Sequence, residues 1–149
     1  MPTPTGTPRA FTFLVPGDWT TLTGGYVYNR RIVADLRARG WAVDVASPGD
    51  AYPWPDANDL QQAQRVIENL PDGACVVGDG LALGALPELV AQHAQRLRWV
   101  ALVHHPLALE SGLTPAQQAQ LFDSERRALA PVEHVIVTSA STGRALADY

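Results

Sequence analysis

The chain has 149 residues, 46% hydrophobic and 17% charged, with a formal charge of −4 at pH 7, which describes one globular domain with enough apolar residues for a core. Cys75 is the only cysteine, which excludes an intramolecular disulfide and any multi-cysteine zinc or iron–sulfur centre and suits a reducing cytoplasm. All eleven basic residues are arginine and fifteen acids outnumber them, so no nucleic-acid partner is expected.

Met1 to Ala10 carries three prolines and reads as a flexible tail, with the domain over residues 11–149. No stretch approaches the ~18 uninterrupted apolar residues of a membrane span, and no signal peptide is expected. Phe11 to Val15 reads as a buried strand, followed by a glycine-bearing loop and a helix from about Gly25 to Arg39. In that helix Tyr28, Ile32, Val33 and Leu36 form the apolar face, Asn29, Arg30, Asp35 and Arg37 point elsewhere, and Gly40 takes the C-terminal cap.

Ala42 to Ala46 is the second strand. After a proline-rich and aromatic loop, Leu60, Ala63, Ile67 and Leu70 trace one helical face that Pro71-Asp72-Gly73 ends. Ala74 to Val77 is the third strand, Leu86 to Gln95 is helical, and Trp99 to Val103 is the fourth strand, running into His104-His105-Pro106. Thr114-Pro115 supplies an N-cap and a first-turn proline for a helix to about Ala130. His134 to Val137 is the fifth strand, and Ser139 caps a last helix.

Apolar strands alternating with helices predict a Rossmann-like three-layer α/β domain, a parallel sheet of about five strands with helices on both faces. The expected strand order is 3-2-1-4-5. Ligands of such sheets bind beyond the carboxyl ends of the strands, which directs attention to four loops. Gly24 and Gly25 at the first helix start suit either a phosphate approaching backbone N–H groups or a plain flexible turn. Neither the compact dinucleotide glycine pattern nor the ATPase P-loop is present.

His104 and His105 end the fourth strand, where an imidazole serves proton traffic or hydroxyl recognition. Adjacent strand residues face opposite sides, so at most one is expected to face the cleft. The bland alternative is a buried histidine satisfied by backbone. Asp79 ends the third strand as an acceptor-site candidate or an N-cap. Trp19, Tyr52 and Trp54 lie in loops, either as sugar-stacking surfaces or as covers for the core. No Asp-x-Asp pattern occurs, and no metal ligands are expected.

Taken together, Gly24-Gly25-Tyr26-Val27-Tyr28-Asn29-Arg30-Arg31, Asp79-Gly80-Leu81-Ala82-Leu83-Gly84, His104-His105-Pro106-Leu107-Ala108-Leu109-Glu110, and Ser124-Glu125-Arg126-Arg127-Ala128-Leu129 with Val135-Ile136-Val137-Thr138-Ser139 resemble the N-terminal half of family 4 glycosyltransferases. The resemblance implies a GT-B enzyme of two Rossmann-like domains, the first holding the acceptor and the second the nucleotide-sugar donor. It implies retaining transfer to a sugar, lipid or small-molecule acceptor without a metal or other cofactor.

Under that resemblance Gly24 and Gly25 approach the donor diphosphate, and His104, with His105 as fallback, contacts the transferred sugar. Asp79, Trp19, Tyr52 and Trp54 are acceptor-side candidates. The donor domain is expected to lie outside these residues, leaving the chain alone inactive. Two other classes fit the same sequence: a non-catalytic module binding a glycan or phosphate, and an interaction domain pairing with a separate donor-domain chain. Arg30, Arg31, Arg37 and Arg39 allow weak contact with an anionic membrane surface, against the alternative of solvated helix charges.

Overall fold

A computed structural model describes residues 9–18 and 24–149. Five strands, β1 (Ala10–Leu14), β2 (Ala42–Ala46), β3 (Cys75–Asp79), β4 (Arg98–Val103) and β5 (His134–Val137), form one sheet in which every pairing is parallel. Helix α1 (Gly24–Ala38) covers one face, where Val33 packs with Phe13, Val15, Val43 and Leu102. Helices α2 (Ala57–Glu68), α4 (Pro87–Gln92) and α5 (Pro115–Leu129) cover the other, burying Ile67, Val90 and Ala128 against Leu14, Val76, Trp99, Ala101 and Val103. A one-turn helix α3 (Gly80–Leu83) follows β3, and α6 (Ala140–Leu146) follows β5. The chain is a Rossmann-like three-layer α/β domain.

The strand order is 2-1-3-4-5, not 3-2-1-4-5. Both orders satisfy right-handed crossovers, so the crossover rule alone does not separate them. What separates them is polarity along the strands. β2 carries Asp44 on an exposed position and is only partly buried, which fits an edge, whereas β3 is apolar and sits between β1 and β4. β5 forms the other edge and is exposed from His134 to Ile136, contrary to the expectation of strands buried on both faces.

Local signals explain most element ends. Thr114 forms a capping box with Gln117 ahead of Pro115, and Ser139 accepts the Thr142 N–H at the start of α6. Gly40 follows α1 with φ +89°, the left-handed conformation that glycine adopts without steric cost. β1 begins at Ala10, and the Arg9 carbonyl accepts the Ala42 N–H at 2.9 Å, so sheet pairing reaches into the stretch expected as tail. The rest of that stretch lies outside the described residues. No helix among the described residues is long and apolar enough to cross a membrane.

Candidate functional site

The order 2-1-3-4-5 places its reversal between β1 and β3, and the crevice beyond that point is where such sheets bind ligands. Three side chains meet there. Asp79 is the last residue of β3 and the N-cap of α3, with Oδ1 accepting the Leu81 N–H at 3.0 Å. His104 follows the last residue of β4, and parallel register pairs Asp79 with Leu102, two residues before the histidine. Asn29 reaches in from the second turn of α1. It lies four residues before Val33 on the buried stripe of that helix and is fully buried.

The three form a chain of hydrogen bonds. Asn29 Nδ2 donates to Asp79 Oδ2 at 2.8 Å, and His104 Nε2 stands 2.9 Å from Asn29 Oδ1 and 3.7 Å from Asp79 Oδ2. The Asp79 side chain is 6% exposed and that of His104 is 23% exposed, so the network runs from the interior to an accessible ring. Tyr28 meets the imidazole edge-on with centroids 5.2 Å apart. Thr142 Oγ1 donates to the His104 carbonyl at 3.2 Å and ties the start of α6 to the same residue.

The ring opens on a cavity of about 290 Å³ lined by Gly25, Tyr26, Asp79, His104, His105 and Glu110, among others. Tyr26 donates its hydroxyl to the Pro16 carbonyl at 2.7 Å. Burial, and then the charges of Asp79, Asp18 and Asp50, push its phenol upward, so it remains a neutral donor. A Cβ built at Gly25 would touch the His104 ring at 3.6 Å, an ordinary contact, and one at Gly24 would meet nothing within 4 Å among the described residues. Among the described residues, space is therefore open in front of Gly24, while Gly25 lies against the His104 ring.

Both histidines line this cavity, although at most one was expected to face the cleft. The reason is that β4 stops at Val103, so strand alternation does not govern 104 and 105. Tyr52 and Trp54 do not line it. Tyr52 is buried with Ala63, Ala82 and Leu86, and its hydroxyl donates to the Pro48 carbonyl at 2.8 Å. Burial, with Asp59 and Asp56 nearby, raises its phenol strongly. Trp54 is exposed in a separate groove with Leu60, Pro87 and Arg127. Trp19 lies outside the described residues. Arg37 bonds the Val43 carbonyl through Nη2 at 2.6 Å, a structural use of one of the helix arginines.

Asn29 was expected to point away from the core, and the structure reverses that. Its signal was the i, i+4 spacing to Val33, which a polar side chain disguises. Glu125 was likewise passed over. It is fully buried on α5 between Leu121 and Ala128, and Oε1 accepts the Leu107 N–H at 3.1 Å and the Tyr149 hydroxyl at 3.0 Å. Among the described residues Oε2 has no partner, and burial raises the carboxyl above its ordinary range despite the Leu107 N–H, Tyr149 and His105. This residue anchors the segment that follows the two histidines.

Among the described residues no three His, Cys, Asp or Glu side chains gather as metal ligands. What the site offers is hydrogen bonding around an accessible imidazole. Comparison of the chain with protein-family models, curated proteins and solved structures finds no match.

Proposed function

We propose that this chain is the acceptor-side domain of a retaining, metal-independent glycosyltransferase of GT-B architecture, similar to family 4. The observation that carries the reading is the buried Asn29–Asp79 pair holding His104 at the carboxyl edge of the parallel sheet, with Gly25 beside the ring. An imidazole held from below is preorganised to meet a sugar hydroxyl or the charge that develops as the glycosidic bond breaks. Among the described residues Gly24 leaves room at the first turn of α1, whose N–H groups favour a diphosphate, and Gly25 lets that turn lie against the His104 ring. The described residues form one Rossmann-like unit, and transfer requires a second domain to hold the nucleotide and neutralise the leaving diphosphate.

On this reading Asp79 acts by holding Asn29 rather than by touching acceptor, since its side chain is 6% exposed and both oxygens already bond within the fold. The cavity walls and Glu110 receive the acceptor. Calorimetric and NMR titrations of the 149-residue chain test the reading. Neutral mono- and disaccharides are expected to shift the resonances of Gly25, His104 and Glu110. UDP and GDP are expected to bind no tighter than the millimolar range. Submillimolar binding of either nucleotide would show a complete nucleotide site in this domain and replace the acceptor-side reading with a nucleotide-binding one.

A further inference from the structure

The hydrogen-bond chain at the cavity has a direction. Asp79 Oδ1 accepts the Leu81 N–H, and Oδ2 accepts from Asn29. A carboxylate oxygen can only accept, so the Asn29 atom facing it must be the NH2 group. The opposite atom of that amide is then its carbonyl oxygen, which can only accept from His104 Nε2 at 2.9 Å. Nε2 therefore carries the proton, and a neutral imidazole with a proton on Nε2 has none on Nδ1. Among the described residues Nδ1 has no partner, and it is not among the buried unpartnered atoms, so it is reached by solvent on a ring that lines the cavity.

We propose that Asn29, oriented by Asp79, is a positioning residue that fixes His104 as the Nε2–H tautomer and presents bare Nδ1 to the cavity as an acceptor for a ligand hydroxyl. Both links that control the ring are buried more deeply than the ring itself: Asn29 is 0% exposed, Asp79 4%, and the His104 side chain 23%. Burial fixes the amide because turning it over would set its oxygen against the Asp79 carboxylate and its NH2 against the Nε2–H. At the Asp79 end that costs about as much as a lost buried hydrogen bond, and at the ring it is relieved only by moving the proton to Nδ1. The arrangement selects for ligand chemistry. A hydroxyl donates to a bare ring nitrogen, whereas a phosphate or carboxylate oxygen finds no proton there. The hydroxyl half rests on the glycan reading above, and the tautomer half does not.

The test is nitrogen-15 NMR of histidine-labelled chain at alkaline pH, where long-range proton–nitrogen correlations distinguish a protonated from a bare ring nitrogen. Wild type is expected to show His104 with protonated Nε2 and bare Nδ1. Asp79→Asn removes the reason for the amide orientation, so His104 is expected to populate the Nδ1–H form. Asn29→Leu is expected to leave the two forms in their free-imidazole proportion. A wild-type Nδ1–H form, or a tautomer unmoved in folded Asp79→Asn, would overturn the positioning role; the wild-type measurement decides even if a variant fails to fold. Methyl α-glucoside and inorganic phosphate are then titrated in parallel. Movement of the Nδ1 resonance with the glucoside and not with phosphate is expected. No movement with the glucoside would sink the hydroxyl half while the tautomer stands on its own measurement.

Discussion

His104 and His105 are neighbours with different attachments. His104 holds a fully buried amide, whereas His105 is exposed and its electrostatic effect is to favour the ionised form of Glu125. Removing the His104 imidazole leaves Asn29 Oδ1 without its donor, but the cavity admits water to the gap. His104→Ala is therefore expected to cost about 0.5–1.5 kcal/mol of stability, and His105→Ala to stay within about 0.5 kcal/mol. Asn29→Ala leaves Asp79 Oδ2 unpaired where water reaches poorly, and about 1–3 kcal/mol is expected. Urea unfolding ranks the three. On the proposed function, saccharide shifts at Gly25 and Glu110 vanish in His104→Ala and persist in His105→Ala; the reverse pattern would move the functional assignment to His105. At this scale the sequence revealed His104 through its place after an apolar strand. Asn29 was hidden, because a polar residue on an otherwise apolar helical stripe is conventionally assigned to solvent.

At the scale of elements, the loop before α2 is organised by one acid. Asp59 Oδ1 accepts the Asp50 N–H at 2.9 Å, while Oδ2 accepts those of Asp56 at 3.0 Å and Ala51 at 3.3 Å. Asp56 in turn accepts the Asp59 N–H at 2.9 Å. Those donors, that of Asp50 first, hold the Asp59 carboxyl below its ordinary value near 3.8. A depressed carboxyl stabilises the fold above its ordinary value, and that stabilisation is lost as the pH falls through the lowered one. Asp59→Asn is expected to lower the thermal midpoint at neutral pH and to converge with wild type under acid. A constant offset down to the most acidic folded sample would mean that the charge is not what matters.

The start of α2 was harder to read than that of α5. Thr114-Pro115 announces a helix by residue type, but Asp56 and Asp59 are two acids in a polar run. Of the expected apolar face, Ala63 and Ile67 are buried and Leu70 packs on the core, whereas Leu60 is 43% exposed and Asp59 takes the buried position at that end.

For the whole molecule, alternation of apolar strands with helices was enough to specify a parallel three-layer domain, whereas strand order depended on Asp44, a single polar residue whose edge preference the crossover rule does not weigh. What joins the layers at the site end is Glu125, reaching from α5 to the Leu107 N–H and the Tyr149 hydroxyl. Gly84 belongs to the same junction: a Cβ there would stand 2.8 Å from Leu107 Cδ1 and 2.9 Å from the Gly80 carbonyl, so only glycine lets α3 and the Leu107 turn approach this closely. Burial raises the Glu125 carboxyl above its ordinary value near 4.5, so the folded chain holds this proton more tightly than the unfolded chain. Stability from this group is complete below the ordinary value and falls as pH rises through the elevated one, opposite in sign to Asp59. Glutamine keeps an oxygen for Leu107 and Tyr149 but carries no charge. Glu125→Gln is therefore expected to match wild type below the ordinary carboxyl value and to exceed it in thermal midpoint as the pH rises above that value, with the difference growing smoothly until the elevated value is passed. Parallel curves for the two proteins over that interval would show that Glu125 is already ionised throughout it, and that its unpartnered oxygen is met by water rather than left as a protonated link between α5 and the site.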